Sequence, residues 1–401
     1  MQQYGNITPR SCKKQVRRQT ILPTRGFLDN TVSSTRLSTS NSITSQLEQL
    51  RLEYDFPALG VSVGPHFKGA VVGTRKVHTN VNATMHDIYH IGSNTKAMTA
   101  TVIAILVEEG IFSWKTTLGE VLTDYKMLDV YRNVTIEMLT SHRSGITDDS
   151  VQEEAFLTSL VNISAPAGRV SMATRTLASP SNSTQGDWVY ANMNYILAGL
   201  IVDIVTGKPV EEIMGKKLFK PLCMASAGWG ATPQSNITAI DNPWGHIMTP
   251  EGPEAVGEGE DNKYRDLPAA ISTAGLLHMT IQDWNKFLTV HLQAAHGHAS
   301  KALNLSVNGF QKLHTSAPGP PPAELPGLGY TYGGFGRGED ASAPGQYTLA
   351  HCGSNDMNFA CVDIITANNS ILMSFTNIGG EAANNVTNEL VARLKNGTMV
   401  L

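Results

Sequence analysis

The chain has 401 residues, 41% of them hydrophobic and 16% charged, with a formal net charge of −4. This length supports a large core and exceeds one small compact unit, so one two-lobed domain or two domains are expected. The near-balanced charge gives no electrostatic case for nucleic acid, and no apolar run (residues 102–107 are the longest candidate) approaches a membrane span.

Residues 1 to about 45 differ from the rest. Arg10, Lys13, Lys14, Arg17, Arg18 and Arg25 all precede the first acidic residue, Asp29, and a Ser/Thr-rich stretch follows. This composition predicts a disordered leader. Arg- and Ser-rich, acid-poor segments also serve as organellar transit signals. The apolar centre of a secretory signal is missing, so a cytoplasmic location is expected. Sequons at Asn82, Asn133, Asn162, Asn182, Asn236, Asn304, Asn385 and Asn396 would suit a secreted glycoprotein, but a chain rich in Asn, Ser and Thr generates such triplets by chance. The cysteines do not make a disulfide framework. Cys352 and Cys361 could face each other across a hairpin, with reduced core thiols as the expected state.

After the leader, residues 44–54 read as a helix, Ala58–Gly64 as a buried strand and 69–74 as another strand. Residues 87–91 form a further strand-like run, and Gly92 supplies a tight bend. From Ser93 to Gly110 the pattern is helical, with Met98, Val102, Ile105 and Leu106 at three- and four-residue spacing. Helical and loop-like signals dominate residues 111 to about 327, including 136–139, 195–206, 210–218 and 281–295. A Pro-rich connection at 316–326 leads to strand patterns at 330–335, 347–350, 359–366 and 371–376, then a helix at 382–395. The economical packing is an α/β (α+β) arrangement. One antiparallel sheet is built from both ends of the domain (about 46–110 and 328–396), flanked by helices, with a mainly α lobe (111–327) inserted.

The strand–turn–helix junction carries Ser93-Asn94-Thr95-Lys96. A serine there lies in the positive field of a helix N-terminus, and a lysine three residues on reaches its hydroxyl. That spacing unites a nucleophile, a candidate base and an oxyanion donor. A second copy, Ser11-Cys12-Lys13-Lys14, lies in the leader without apolar periodicity and reads as a solvated pair. Tyr190-Ala191-Asn192 follows a loop-rich stretch and precedes a strongly apolar helix. Tyr4-Gly5-Asn6 and Tyr131-Arg132-Asn133 share its pattern without that setting. His351-Cys352-Gly353-Ser354 ends a predicted strand, where Gly353 permits close approach of another chain, such as an acyl substrate lying along the edge.

In this order the three motifs resemble the serine β-lactamase and penicillin-binding protein superfamily, nearest to class C β-lactamases, DD-peptidases and related esterases. Leu139-Thr-Ser-His-Arg-Ser-Gly-Ile146, Tyr195 to Gly207 and Pro268 to Leu288 resemble supporting segments of that family, so the resemblance covers about residues 45 to 395. It implies that Ser93 is the nucleophile, that Lys96 and Tyr190 share the proton transfers, and that Asn192 holds Lys96 or the substrate's acyl side chain. The N–H groups of Ser93 and Ser354 would bind the oxyanion. His351 departs from the Lys-Thr-Gly form of β-lactamases. Imidazole is mostly neutral at neutral pH, which weakens the case for β-lactam hydrolysis and implies a hydrogen bond to Tyr190 or to substrate.

Trp188, Trp244 and His246 are expected to line the cleft. His291, His296 and His298 read as surface residues, and His86 and His90 fall on one face of a strand-like run; no metal site and no cofactor are expected. The expected function is a serine hydrolase acting on a small-molecule ester or amide. An acyltransferase using an acceptor alcohol or amine, a non-catalytic scaffold or sensor, and a β-lactamase or DD-peptidase are the alternatives.

Overall fold

In the C-terminal strands apolar side chains alternate with a period of two, and each face meets a different layer. Along residues 359–365, Ala360, Val362 and Ile364 enter one core while Cys361 and Ile365 enter the other. The computed structural model describes residues 42–257 and 265–401. Twelve strands lie within them. They are β1 (Ala58–Gly64), β2 (Lys68–Gly73), β3 (Ile88–Gly92), β4 (Gly228–Trp229), β5 (His246–Thr249) and β6 (Gly252–Ala255). The others are β7 (Leu277–Thr280), β8 (Gly329–Tyr330), β9 (Gly336–Glu339), β10 (Tyr347–Ser354), β11 (Phe359–Ile365) and β12 (Ser370–Thr376).

The main sheet is antiparallel with order β2-β1-β12-β11-β10-β9-β8, so the two ends of the domain meet at the β1–β12 seam. Gly60 is needed at that seam, since a Cβ there would stand 2.4 Å from the Phe375 ring. The terminal helices, Ile43–Glu53 and Glu381–Lys395, cover one face with Leu47, Leu50, Val386 and Leu390. The opposite face packs on the Ile281–Ala295 helix, while the Thr95–Glu108 helix lies within the same core, buried on every side from Thr95 to Leu106. Such a helix is interior by composition, and it carries the large core.

Several expectations need correction. The basic leader and its Ser11 motif lie outside the described residues, within which Ser42 caps the first helix. The strand expected over 330–335 is broken. Thr331 Oγ1 accepts from Gly333 N (3.2 Å) and Phe335 N (3.1 Å), curling Gly333-Gly334 into a turn between β8 and β9. The middle of the chain also holds strands that periodicity missed. β7 lies between β3 and β4 in a three-stranded sheet, and β5 pairs with β6. Cys352 and Cys361 sit opposite each other in the β10–β11 register and form a disulfide rather than staying reduced.

His291 is fully buried, not on the surface. Its Nε2 lies 3.2 Å from Thr101 Oγ1 and its Nδ1 3.0 Å from His314 Nε2, while His314 Nδ1 meets the Tyr347 hydroxyl at 2.9 Å. Thr101 donates its own proton to the Ala97 carbonyl (2.8 Å), so the chain runs one way from the Tyr347 O–H to that carbonyl. Both rings must be neutral to keep this order. Burial favours that form, lowering His291 well below the usual imidazole range and His314 to about 3. The chain ties the Thr95–Glu108 helix to the start of β10.

Candidate active site

Three anchors build the junction carrying Ser93. β3 ends in a bulge between His90 and Gly92 in its pairing with β7, and Gly92 takes a φ of +52°. Such irregularities re-aim the chain at sheet edges. His90 Nδ1 accepts from Gly92 N at 3.1 Å, while its Nε2 lies 3.0 Å from the buried Asp266 carboxylate. His90 therefore works alone; His86 lies before the strand begins. Asn94 Nδ2 donates to the carbonyls of Ile91 and Ala360, both at 2.9 Å. Thr95 Oγ1 donates to Gly92 O (2.7 Å) and accepts from Leu277 N (3.0 Å). The first helical residue is Thr95, so Ser93 stands in the turn just before the helix rather than within its first turn.

This turn abuts β10. A Cβ on Gly353 would fall 2.5 Å from Ser93 N and 2.7 Å from Asn94 N, and one on Gly92 would fall 2.3 Å from Ser354 N. Gly353 is thus required by the close approach of the chain's own Ser93 turn. The same contact brings the two expected oxyanion donors, Ser93 N and Ser354 N, to one place. β9 pairs with β10 only through Ala350, whereas β11 continues to Ser354. Residues 351–354 are therefore a strand edge open on the β9 side, beside Ser93.

Lys96 is fully buried. Its Nζ lies 3.1 Å from Ser93 Oγ, 2.8 Å from Asn192 Oδ1 and 2.8 Å from the Ala274 carbonyl. Burial lowers the amine to about 7, against the opposing influence of Asp148. The hydrogen bonds then orient the neutral amine. Asn192 Oδ1 and Ala274 O can only accept, so they take both amine hydrogens and leave the lone pair facing the Ser93 hydroxyl.

Tyr190 lies in the loop before the Asn192–Thr206 helix, 39% exposed, with its ring centroid 4.7 Å from Lys96 Nζ. Its hydroxyl bonds with Ser93, and burial of that end raises its pKa above the ordinary phenol value despite this bond. Tyr190 therefore keeps its proton at neutral pH. Trp188 joins an aromatic group with Tyr190 (6.3 Å), Tyr330 (5.8 Å) and His142 (6.1 Å). His351 stands on β10 with its ring 6.3 Å from Tyr330, and burial with nearby Lys96 lowers it to about 3. It is a neutral imidazole, and none of the described hydrogen bonds joins it to Tyr190.

Trp244 and His246 do not line this cleft. Trp244 is 1% exposed with Lys76 and Arg265 against its ring, and the fully buried His246 bonds to Val77 N and Asn377 O. The residues that motif reading missed are Ala274, His142 and Asp148. Ala274 acts through its backbone, which no side-chain pattern marks. His142 Nδ1 accepts from Ala191 N at 3.2 Å and its ring lies 4.4 Å from Tyr190, so it holds the Tyr190–Asn192 segment from behind. Asp148 accepts from Asn192 N and Met193 N, both at 2.8 Å.

Comparisons with known proteins bear on the family and the fold. Penicillin-binding protein 4 of Amycolatopsis lactamdurans is 26% identical over 255 residues, covering 62% of each chain. An unguisins hydrolase of Aspergillus campestris is 26% identical over 225 residues, 54% of this chain and 40% of that one. Protein flp of Staphylococcus aureus is 28% identical over 234 residues, 57% of this chain and 44% of that one. The chain thus matches less than two thirds of the length of these relatives. Among solved structures, the octameric penicillin-binding protein homologue from Pyrococcus abyssi aligns with a TM-score of 0.70 at 24% identity, covering 88% of this chain and 77% of that one. A D-stereospecific amidohydrolase from Streptomyces aligns at 0.68 and 19%, covering 89% and 99%, so the fold is shared. The Beta-lactamase family model matches residues 46–395, and the chain belongs to that family, whose members are serine hydrolases.

Proposed function

We propose that this protein cleaves a small-molecule ester or amide through an acyl-Ser93 intermediate. The observation that carries the reading is the set of contacts at Lys96 Nζ, which leaves a neutral amine one direction for its lone pair, toward Ser93 Oγ. In that reading Lys96 takes the Ser93 proton as Oγ attacks the acyl carbon. Ser93 N and Ser354 N receive the developing oxyanion, each donor contributing about 3 kcal/mol in comparable sites. Tyr190, protonated and bonded to Ser93, passes a proton to the leaving alcohol or amine. Water then attacks the acyl-enzyme by the reverse proton path, releasing the acid and restoring Ser93.

The neutral His351 and the ring group of Trp188, Tyr190 and Tyr330 favour an uncharged, apolar substrate portion over one anchored by a carboxylate. The fold shared with D-amino acid amidase from Ochrobactrum anthropi (TM-score 0.67, 19% identity) puts amino-acid amides on the substrate panel beside aryl esters. The test is steady-state hydrolysis of a chromogenic short-chain ester, with and without an acceptor alcohol, by wild type and Ser93→Ala. The expected result is a loss of roughly a thousandfold or more in the variant. Unchanged turnover would end the assignment. Ester product in place of acid when the alcohol is present would make the protein an acyltransferase.

A further inference from the structure

The helix that presents Asn192 has no cap of its own. Its N-cap residue is Ala191, whose side chain has no oxygen to offer the first N–H groups. A carboxylate 44 residues earlier supplies the cap: Asp148 Oδ2 accepts from Asn192 N and Oδ1 from Met193 N. An anion at this end is favoured by the field of the helix. Asn192, held by its backbone in this way, turns its Oδ1 to Lys96 Nζ. The contacts therefore run unbroken from Asp148 through Asn192 and Lys96 to Ser93.

We propose that Asp148 is a positioning residue for this centre, capping the helix that fixes Asn192 against Lys96 and setting a carboxylate charge beside that assembly. The inference rests on the acyl-Ser93 reading. Lys96 makes no ion pair among the described residues, and the charge that acts on it is Asp148, through space. The other titratable groups facing the amine are held uncharged. His142 and His351 are kept neutral by burial and by Lys96 itself, and Tyr190 and Tyr195, whose rings both face the amine, keep their protons. On its own segment Asp148 faces the exposed Asp149, which together with burial raises it, while its two backbone hydrogen bonds and Lys96 oppose that rise. A carboxylate that served only as a cap would influence stability and the rate at every pH alike. A carboxylate that also acts on Lys96 moves the acid limb of the pH profile.

The experiment is the pH dependence of kcat/KM for a chromogenic ester, measured on the full chain for wild type, Asp148→Asn, Asp148→Glu and Ser93→Ala. In Asp148→Asn the acid limb moves down by roughly half a unit to one unit, the range expected for losing one nearby unit charge in a partly solvated site. Its plateau falls by up to about tenfold as Asn192 loosens. Asp148→Glu, which keeps the charge, returns the limb toward the wild-type position even where its plateau stays low. An unmoved limb in Asp148→Asn overturns the proposal. Should that variant not fold, a limb shifted in Asp148→Glu to the position expected without the charge overturns it as well. If Ser93→Ala is inactive in the same series, the acyl-Ser93 reading survives that failure; if Ser93→Ala stays active, both fall.

Discussion

Arg169 and Lys96 lie equally deep, with no exposed surface on either side chain, yet their neighbours differ in charge. Arg169 meets two carboxylates in forked geometry: Nε and NH2 reach Asp203 at 2.8 and 3.0 Å, and NH1 and NH2 reach Glu211 at 2.6 and 3.0 Å. Ser272 Oγ adds a contact at 2.8 Å. These partners raise the Arg169 guanidinium above its ordinary value although burial opposes them. Burial still raises Asp203 to about 6, with Arg169 pulling the other way. Lys96, by contrast, meets a hydroxyl, an amide oxygen and a backbone carbonyl, all uncharged. The same depth therefore holds a permanent ion among carboxylates in one place and an amine lowered to about 7 among uncharged acceptors in the other. A guanidinium keeps its proton in either setting, whereas a buried lysine amine among uncharged acceptors can lose its own.

The largest effect that tests this contrast comes from making Lys96 resemble Arg169. Lys96→Arg retains a positive charge that cannot be given up at neutral pH, and ester turnover should fall by roughly a thousandfold or more in folded protein. Near-wild-type turnover would remove the neutral amine from the mechanism. Next is the converse change, Arg169→Met, which leaves Asp203 and Glu211 buried without their partner. A stability loss of about 3–5 kcal/mol is expected from denaturant unfolding, with the turnover of the folded fraction preserved. A loss below about 1 kcal/mol would show that the two carboxylates do not depend on the guanidinium. The smallest change is Asn192→Asp, which puts a carboxylate where Lys96 now has an amide oxygen at 2.8 Å. The acid limb of kcat/KM should rise by roughly one unit or more as the new charge favours the ammonium. An unmoved limb would mean that the amine is not the group whose titration limits the rate.

Much of the centre was legible in the sequence because its chemistry is carried by short local patterns. Ser93 and Lys96 stand three residues apart at a strand–turn–helix junction, and Tyr190 and Asn192 flank the start of an apolar helix. The sheet was legible for a related reason. β1, β11 and β12 are apolar runs buried almost throughout, so their edges lie within a residue of expectation. What stayed hidden acts over long separations or through the backbone. Ala274 offers only its carbonyl, and Asp148 in Thr147-Asp148-Asp149 reads like any polar turn. His291 sits near a helix end where a surface place is the ordinary expectation, but the hydrogen-bonded chain from Tyr347 to Ala97 draws it inside. β7 is four residues long and flanked by helices, too short for periodicity to register. The Cys352–Cys361 pairing follows from the β10–β11 register, which a two-cysteine spacing does not specify.

The neutral Lys96 amine is tested most directly by the rate at which a serine-reactive phosphonate phosphonylates Ser93, releasing its leaving group, in wild-type protein, followed across pH by intact-protein mass. The reagent needs only the activated hydroxyl, so the profile reports the base without a substrate's own titration. Labelling should rise with pH and reach half its maximum near pH 7, where burial sets the amine. A midpoint near the ordinary lysine value of about 10.4 would contradict the account, because it would mean that Lys96 remains an ammonium in the folded protein.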